Sequence, residues 1–136
     1  ESNVASVLIY INLFERITGI STRHVLKYNE GIIFCVPKSL IPKALGQNAS
    51  NIREISEILG RRIRVIPIPL GVQHINEFIG AIVSPVTFQG LEVKDNEIIL
   101  TAGKQSKAAL LGREKRRLLE MQHIIKDFFG KEFRII

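Results

Sequence analysis

The sequence predicts an α+β chain built from two copies of one small unit. Three observations predict it. Segment 31–59 aligns without a gap on segment 97–125, so that Ile32 falls on Ile98, Lys38 on Lys104, Leu45 on Leu111, Gly46 on Gly112 and Ile58 on Ile124, always 66 positions apart. Apolar spacing runs through the same order in both copies: helix, strand, strand, short helix, glycine corner, amphipathic helix, strand. A short stretch, Pro67-Ile-Pro69-Leu-Gly71, separates them. The expected division is therefore 1–66, a proline-stiffened linker 67–71, and 72–136, with the two units held in a fixed relation.

Residues 3–18 read as an amphipathic helix, because Val4, Val7, Leu8, Ile11, Phe14 and Ile17 recur at helical spacing. Its polar face is poor in Lys and Arg, which favours a core helix over a membrane-surface one. Gly19 closes it. Residues 23–28 and 31–36 read as a hairpin turned at Asn29-Glu30-Gly31, and Pro37 ends the second strand. Ser39 to Leu45 make a short helix with Ser39 as N-cap and Pro42 in the first turn. After Gly46, a helix over 50–59 shows Ile52, Ile55, Ile58 and Leu59 on one face. Residues 62–66 alternate like a half-buried strand.

The second copy repeats this: a helix over Ile75 to Ile82, strands Val86 to Val93 and Glu97 to Thr101 around Asp95-Asn96, a short helix Lys104 to Leu111, and the corner at Gly112. A long helix over 115–129 follows, with Leu118, Met121, Ile125 and Phe128 on one face. Phe133 to Ile136 is the last strand.

With 136 residues, 46% of them apolar, the chain holds enough for cores, and units of about 65 residues are near the lower limit of independent folding. Net charge is +6 and the pI about 9.8; residues 1–69 carry 9 Lys/Arg and 5 Asp/Glu, residues 70–136 carry 10 and 8. Both halves are basic, which suits a polyanionic partner. Cys35 is the single cysteine, so no intrachain disulfide forms, a sparing use that fits a reducing cytoplasm. No apolar run reaches the roughly 18 residues of a membrane span, and no signal-peptide pattern opens the chain.

The glycine corners carry the chemistry. A corner residue without a Cβ lets the backbone approach a phosphate. The helix that follows offers N–H groups and the positive end of its dipole. The string Lys43-Ala-Leu-Gly46-Gln-Asn-Ala49-Ser-Asn-Ile52 resembles the Ile-Gly-x-x-Gly loop of KH domains, which clamp about four nucleotides of single-stranded nucleic acid. The element order is similar to the type II (prokaryotic) KH fold, in which a three-stranded sheet packs on helices. Two units in tandem, with the helix end Leu13-Phe14-Glu15-Arg16-Ile17-Thr18-Gly19, resemble the archaeal NusA-like transcription factors over essentially the whole chain.

The resemblance implies a single-stranded RNA-binding factor that works with RNA polymerase in termination or antitermination. It implies contacts from Lys43, Gly46, Gln47, Asn48, Ala49, Asn51 and Arg53 in the first unit, and from Gly112, Arg113, Lys115 and Arg116 in the second. Both loops depart from the pattern. Ala49 stands where the second glycine belongs, at a helix start where alanine should cost little. Lys115 stands there in the second unit, beside Glu114, with Arg113, Arg116 and Arg117 adding positive charge. The first corner is thus expected to bind in the more typical way, and the second by charge or as a docking surface. A Gly46→Asp substitution is expected to weaken RNA binding. Neither corner holds an aromatic for base stacking.

Other features weigh less. Arg61, Arg62 and Arg64 suit RNA phosphates and a solvated face equally, as do Lys38 and Lys104. Gly103-Lys104-Gln105-Ser106 lacks the earlier glycine of a phosphate-binding loop, since position 98 is Ile. His24, His74 and His123 have no ligand spacing, so no metal is expected. No cofactor and no enzymatic activity are indicated. The competing reading is a protein-interaction or ribosome-associated module that keeps this fold with weakened RNA binding.

Overall fold

The computed structural model describes residues 4–136. Asn3, where the sequence reading starts the first helix, and the side chain of Val4 lie outside the described residues. The chain divides into two compact units, 1–68 and 69–136. Each is α+β with one three-stranded mixed sheet.

The first unit runs α1 (Val4–Thr18), β1 (His24–Tyr28), β2 (Gly31–Val36), α2 (Ile41–Leu45), α3 (Ser50–Leu59) and β3 (Ile63–Pro67). β2 is central: β1 pairs with it antiparallel, from His24 opposite Cys35 to Tyr28 opposite Gly31. β3 pairs with it parallel, Ile32 opposite Ile63. The tight turn is possible because Asn29 (φ 51°) and Glu30 (φ 63°) are both left-handed, the geometry whose twist matches the hairpin. The parallel pairing demands a crossover, which α2 and α3 supply. All six residues of β2 are buried, as a central strand covered on both faces requires. Ile32, Phe34 and Val36 meet Phe14, Ala44 and Ile55, and the Phe14 and Phe34 rings stack with centroids 4.3 Å apart. At the end of α1, the Thr18 hydroxyl donates to the Phe14 carbonyl (2.7 Å) and accepts from the Ile20 amide (3.0 Å).

The second unit runs α4 (Ile75–Val83), β4 (Gly90–Val93), β5 (Glu97–Thr101), α5 (Lys107–Leu111), α6 (Arg116–Phe129) and β6 (Glu132–Ile135). β5 is central, antiparallel to β4 and parallel to β6. Phe78 packs against Phe128 (4.9 Å) and edge-on to Phe129 (5.9 Å). Ion pairing ties the parallel strands, with the Arg134 Nε donating to Glu97 at 2.7 Å and holding that carboxyl below its ordinary range.

Several boundaries differ from expectation. Leu8 and Ile58, both placed on core faces by their spacing, are 53% exposed. Each sits a step off the buried stripe of its helix. Ser39 caps nothing: Lys38–Leu40 is a single 3-10 turn entered from Pro37, with no side-chain cap. Residues 104–106 form a turn, so α5 starts at Lys107. Pairing in β4 begins only at Gly90, because the Val86 amide turns back to the Val83 carbonyl (2.9 Å) and residues 86–88 lie outside the strand. Pro67 belongs to β3, and the Ile68 amide bonds the Val36 carbonyl at 2.8 Å, so the first two of the five expected linker residues are tied to the first sheet.

Candidate functional site

The two glycine corners share one backbone. Gly46 has φ 77°, ψ 174° and Gly112 has φ 76°, ψ 172°. Two left-handed residues follow a step later in each: Asn48 and Ala49 (φ 54° and 59°), then Glu114 and Lys115 (φ 56° and 60°). The hydrogen bonds match as well. The Gly46 amide donates to the Pro42 carbonyl (3.1 Å) and the Ala49 amide to the Gly46 carbonyl (3.1 Å). The Gly112 amide donates to Ala108 (3.0 Å) and Lys115 to Gly112 (3.1 Å). Each corner is thus a helix end, a 3-10 turn and a new helix start. No side chain caps α3 or α6.

The sequence puts Ala49 at a helix start of little cost. The structure corrects this: Ala49 and Lys115 are left-handed, where a side chain costs about 1–2 kcal/mol. A second glycine at this step serves backbone conformation, and no local signal in Ala49 or Lys115 announces it.

The open side of the first glycine is also differently occupied than expected. A Cβ on Gly46 would lie 2.8 Å from Cγ and Nδ2 of Asn51, and one on Gly112 would lie 2.7 Å from Cγ of Arg117. That side is filled by protein. Asn51 Nδ2 then donates to the Lys43 carbonyl (3.2 Å), and an Arg117 guanidinium nitrogen to the Ala109 carbonyl (3.0 Å). Asn51 and Arg117 are 66 apart, and so are Lys43 and Ala109. The repeat therefore keeps a bond from the second helix back to the last turn of the short one, with unlike side chains.

The remaining predicted residues separate into groups. Gln47 and Asn48 are exposed at the tip of the first corner, and Arg113, Lys115 and Arg116 are exposed at the second, with Glu114. Arg53 bonds the Asn48 carbonyl and so clasps the loop; its counterpart is Leu119, 60% exposed. The Lys43 ammonium reaches over Gly19, 3.6 Å from where a Cβ there would stand. It lies at the C-terminal end of α1, where the helix dipole favours a cation. Arg61 bonds the Glu30 carbonyl, and burial beside Arg62 lowers the pKa of Arg64. Lys38 and Lys104 are exposed.

Charge divides the corners. Residues 38–51 hold two Lys/Arg and no acid, net +2; residues 104–117 hold six Lys/Arg and one Glu, net +5. Burial pushes the Cys35 thiol up to about 12, making it an inert core group. Among the described residues no cluster of His, Cys, Asp and Glu could hold a metal ion, and no helix is long and apolar enough to cross a membrane.

No known family profile matches the chain, and no curated protein does. Solved structures do: a crystal structure of APE1850 is similar over 98% of this chain and 99% of its own, with a TM-score of 0.66 and 21% identity. At that identity the likeness shows the fold alone.

Proposed function

We propose that the chain is a single-stranded RNA-binding protein of the NusA-like kind, made of two KH units that hold RNA backbone at their glycine corners. The observation that carries this reading is the corner backbone itself, kept to within a few degrees in both units although the tips read Gln47-Asn48-Ala49 and Arg113-Glu114-Lys115. Core packing does not explain it, since the tip side chains of residues 47, 48 and 113–115 are exposed. An uncapped helix start beside exposed polar or cationic side chains suits a phosphate. The basic balance of both halves supports a polyanion. The role is binding rather than catalysis, with nascent transcript as the RNA and RNA polymerase as the protein partner, in termination or antitermination.

The test is titration of a labelled single-stranded RNA pool at two salt concentrations. Gly46→Asp is a poor probe, because it strains the backbone as well as adding charge. The double variant Gln47→Asp, Asn48→Asp changes exposed side chains only, and Asp tolerates the left-handed conformation. It is expected to weaken binding about tenfold or more, with unfolding unchanged. Negligible wild-type binding, or affinity indifferent to the double variant, sinks the reading and leaves the protein-interaction module in its place.

A further inference from the structure

We propose that Asn51 and Arg117 are the positioning residues of the two corners, acting through the corner backbone rather than by touching nucleic acid. Each stands at the same place in its unit, and each side chain passes over the face that the corner glycine leaves open. Each ends on the carbonyl at the same step of the short helix, Lys43 or Ala109. An amide and a guanidinium share little beyond a donated N–H. Their use at one position identifies the donor as what the fold needs there. It also explains why both corners open with glycine: a Cβ at Gly112 would lie 2.9 Å from the backbone nitrogen of Arg117 as well as against its side chain.

Arg117 is thereby set apart from its neighbours. Arg113, Lys115 and Arg116 are exposed, whereas Arg117 is half-buried and bonded within its own unit. Only the former three are then contacts for phosphate. This refinement rests on the RNA-binding reading for its affinity arm alone.

The experiment compares Arg117→Gln, Arg117→Met and Arg116→Gln, each lacking one charge. Glutamine keeps a donor for the Ala109 carbonyl and methionine does not. RNA affinity is read over a range of salt, well below the unfolding temperature. Amide hydrogen exchange at Lys115, whose N–H bonds Gly112, is read without RNA. Arg116→Gln is expected to lower the salt slope by about 0.7. Arg117→Gln should keep the wild-type slope and affinity. Arg117→Met should keep the slope, lose about fivefold in affinity and exchange the Lys115 amide faster. Asn51→Ala should speed exchange at Ala49 in the same way. A slope lowered equally by both Arg117 variants overturns the proposal and makes Arg117 a phosphate contact. If the wild type binds no RNA, the functional reading fails separately. Exchange then decides: faster in Arg117→Met than in Arg117→Gln sustains positioning, and equal rates overturn it.

Discussion

The first corner carries less charge and more side-chain ties; the second carries more charge and fewer ties. Asn51 and Arg53 both bond backbone carbonyls around Gly46, whereas around Gly112 Arg117 does so, and Leu119, whose side chain has no donor, takes the place of Arg53. Yet the backbones agree. The difference teaches that the corner shape is set by the glycine, the strut and the 3-10 turn, while the tip is left open to variation in charge. The first corner is built to hold its shape by itself. The second carries net +5 over the matching fourteen residues against +2, which raises long-range attraction for a polyanion without changing the shape.

The largest expected effect comes from the corner glycines. In Gly112→Ala the new methyl meets the backbone nitrogen of Arg117, at 2.9 Å, besides its side chain, and a backbone cannot rotate away. In Gly46→Ala the three atoms nearest the new methyl belong to the Asn51 and Ser50 side chains, which can rotate away. Both positions have φ near +77°, so both substitutions are strained. Urea unfolding of the whole chain is expected to show losses of about 3 kcal/mol for Gly112→Ala and about 2 for Gly46→Ala. Equal losses would mean that the α6 backbone yields as readily as a side chain.

Charge gives the next contrast. Replacing Arg113, Lys115 and Arg116 together by Gln is expected to lower the salt slope of RNA affinity by about 2, at roughly 0.7 for each single-strand phosphate no longer neutralised. Replacing Lys43 by Gln should leave the slope alone, because its ammonium lies over Gly19 at the end of α1 rather than at the tip. A slope that falls as far with Lys43→Gln as with each second-corner charge would erase the distinction.

The sheets extend the comparison. Cys35 in β2 is fully buried, and its counterpart in β5 is Thr101. The folded thiol titrates near 12 against an ordinary 9.0, because burial disfavours the thiolate. Its contribution is fully present below pH 9 and is lost as pH rises towards 12. At pH 10 the first unit should be less stable by about 1 kcal/mol from this group alone. Cys35→Ala should flatten that alkaline loss, and thiol reagents should leave the folded protein unmodified at pH 8. Ready modification there would show that β2 opens.

Element order, the hairpins and both corners were legible because they rest on apolar period and on a gapless repeat, whereas the parallel pairing of β3 on β2 and of β6 on β5 leaves no local pattern. Ile32, Phe34 and Val36 alternate towards Phe14, and two marks of the same turn lie 66 residues apart. Leu8 and Ile58 misled because helical spacing marks a stripe wider than a small core can cover. Ser39 misled because a hydroxyl at a helix start is a preference, and the preceding Pro37 already sets the turn. The strut was half visible: aligning the copies puts Asn51 on Arg117, two donors, but nothing in one dimension says that the donor points back eight residues. The left-handed pair was visible only in Asn48, a residue type that accepts that conformation. Ala49 and Lys115 carry no such mark.

Those last two positions give the smallest effect and the sharpest separation of the corners. Ala49→Gly removes the cost of a Cβ at φ 59° but adds freedom to the unfolded chain. Relief of about 1–2 kcal/mol against a loss of about 0.4–1 leaves a net gain near 0.5 kcal/mol. Lys115→Gly, at φ 60°, should gain about as much by the same argument. Their effects on RNA should then diverge. Ala49 brings no charge, so Ala49→Gly should stabilise the first unit and leave the salt slope unchanged. Lys115 brings an exposed ammonium, so Lys115→Gly should stabilise the second unit while lowering the slope by about 0.7. A side chain that strains its own backbone persists most readily where it does something else. At the second corner that something is charge, and a Lys115→Gly variant that gained stability with no loss of RNA affinity would remove the reason for the lysine.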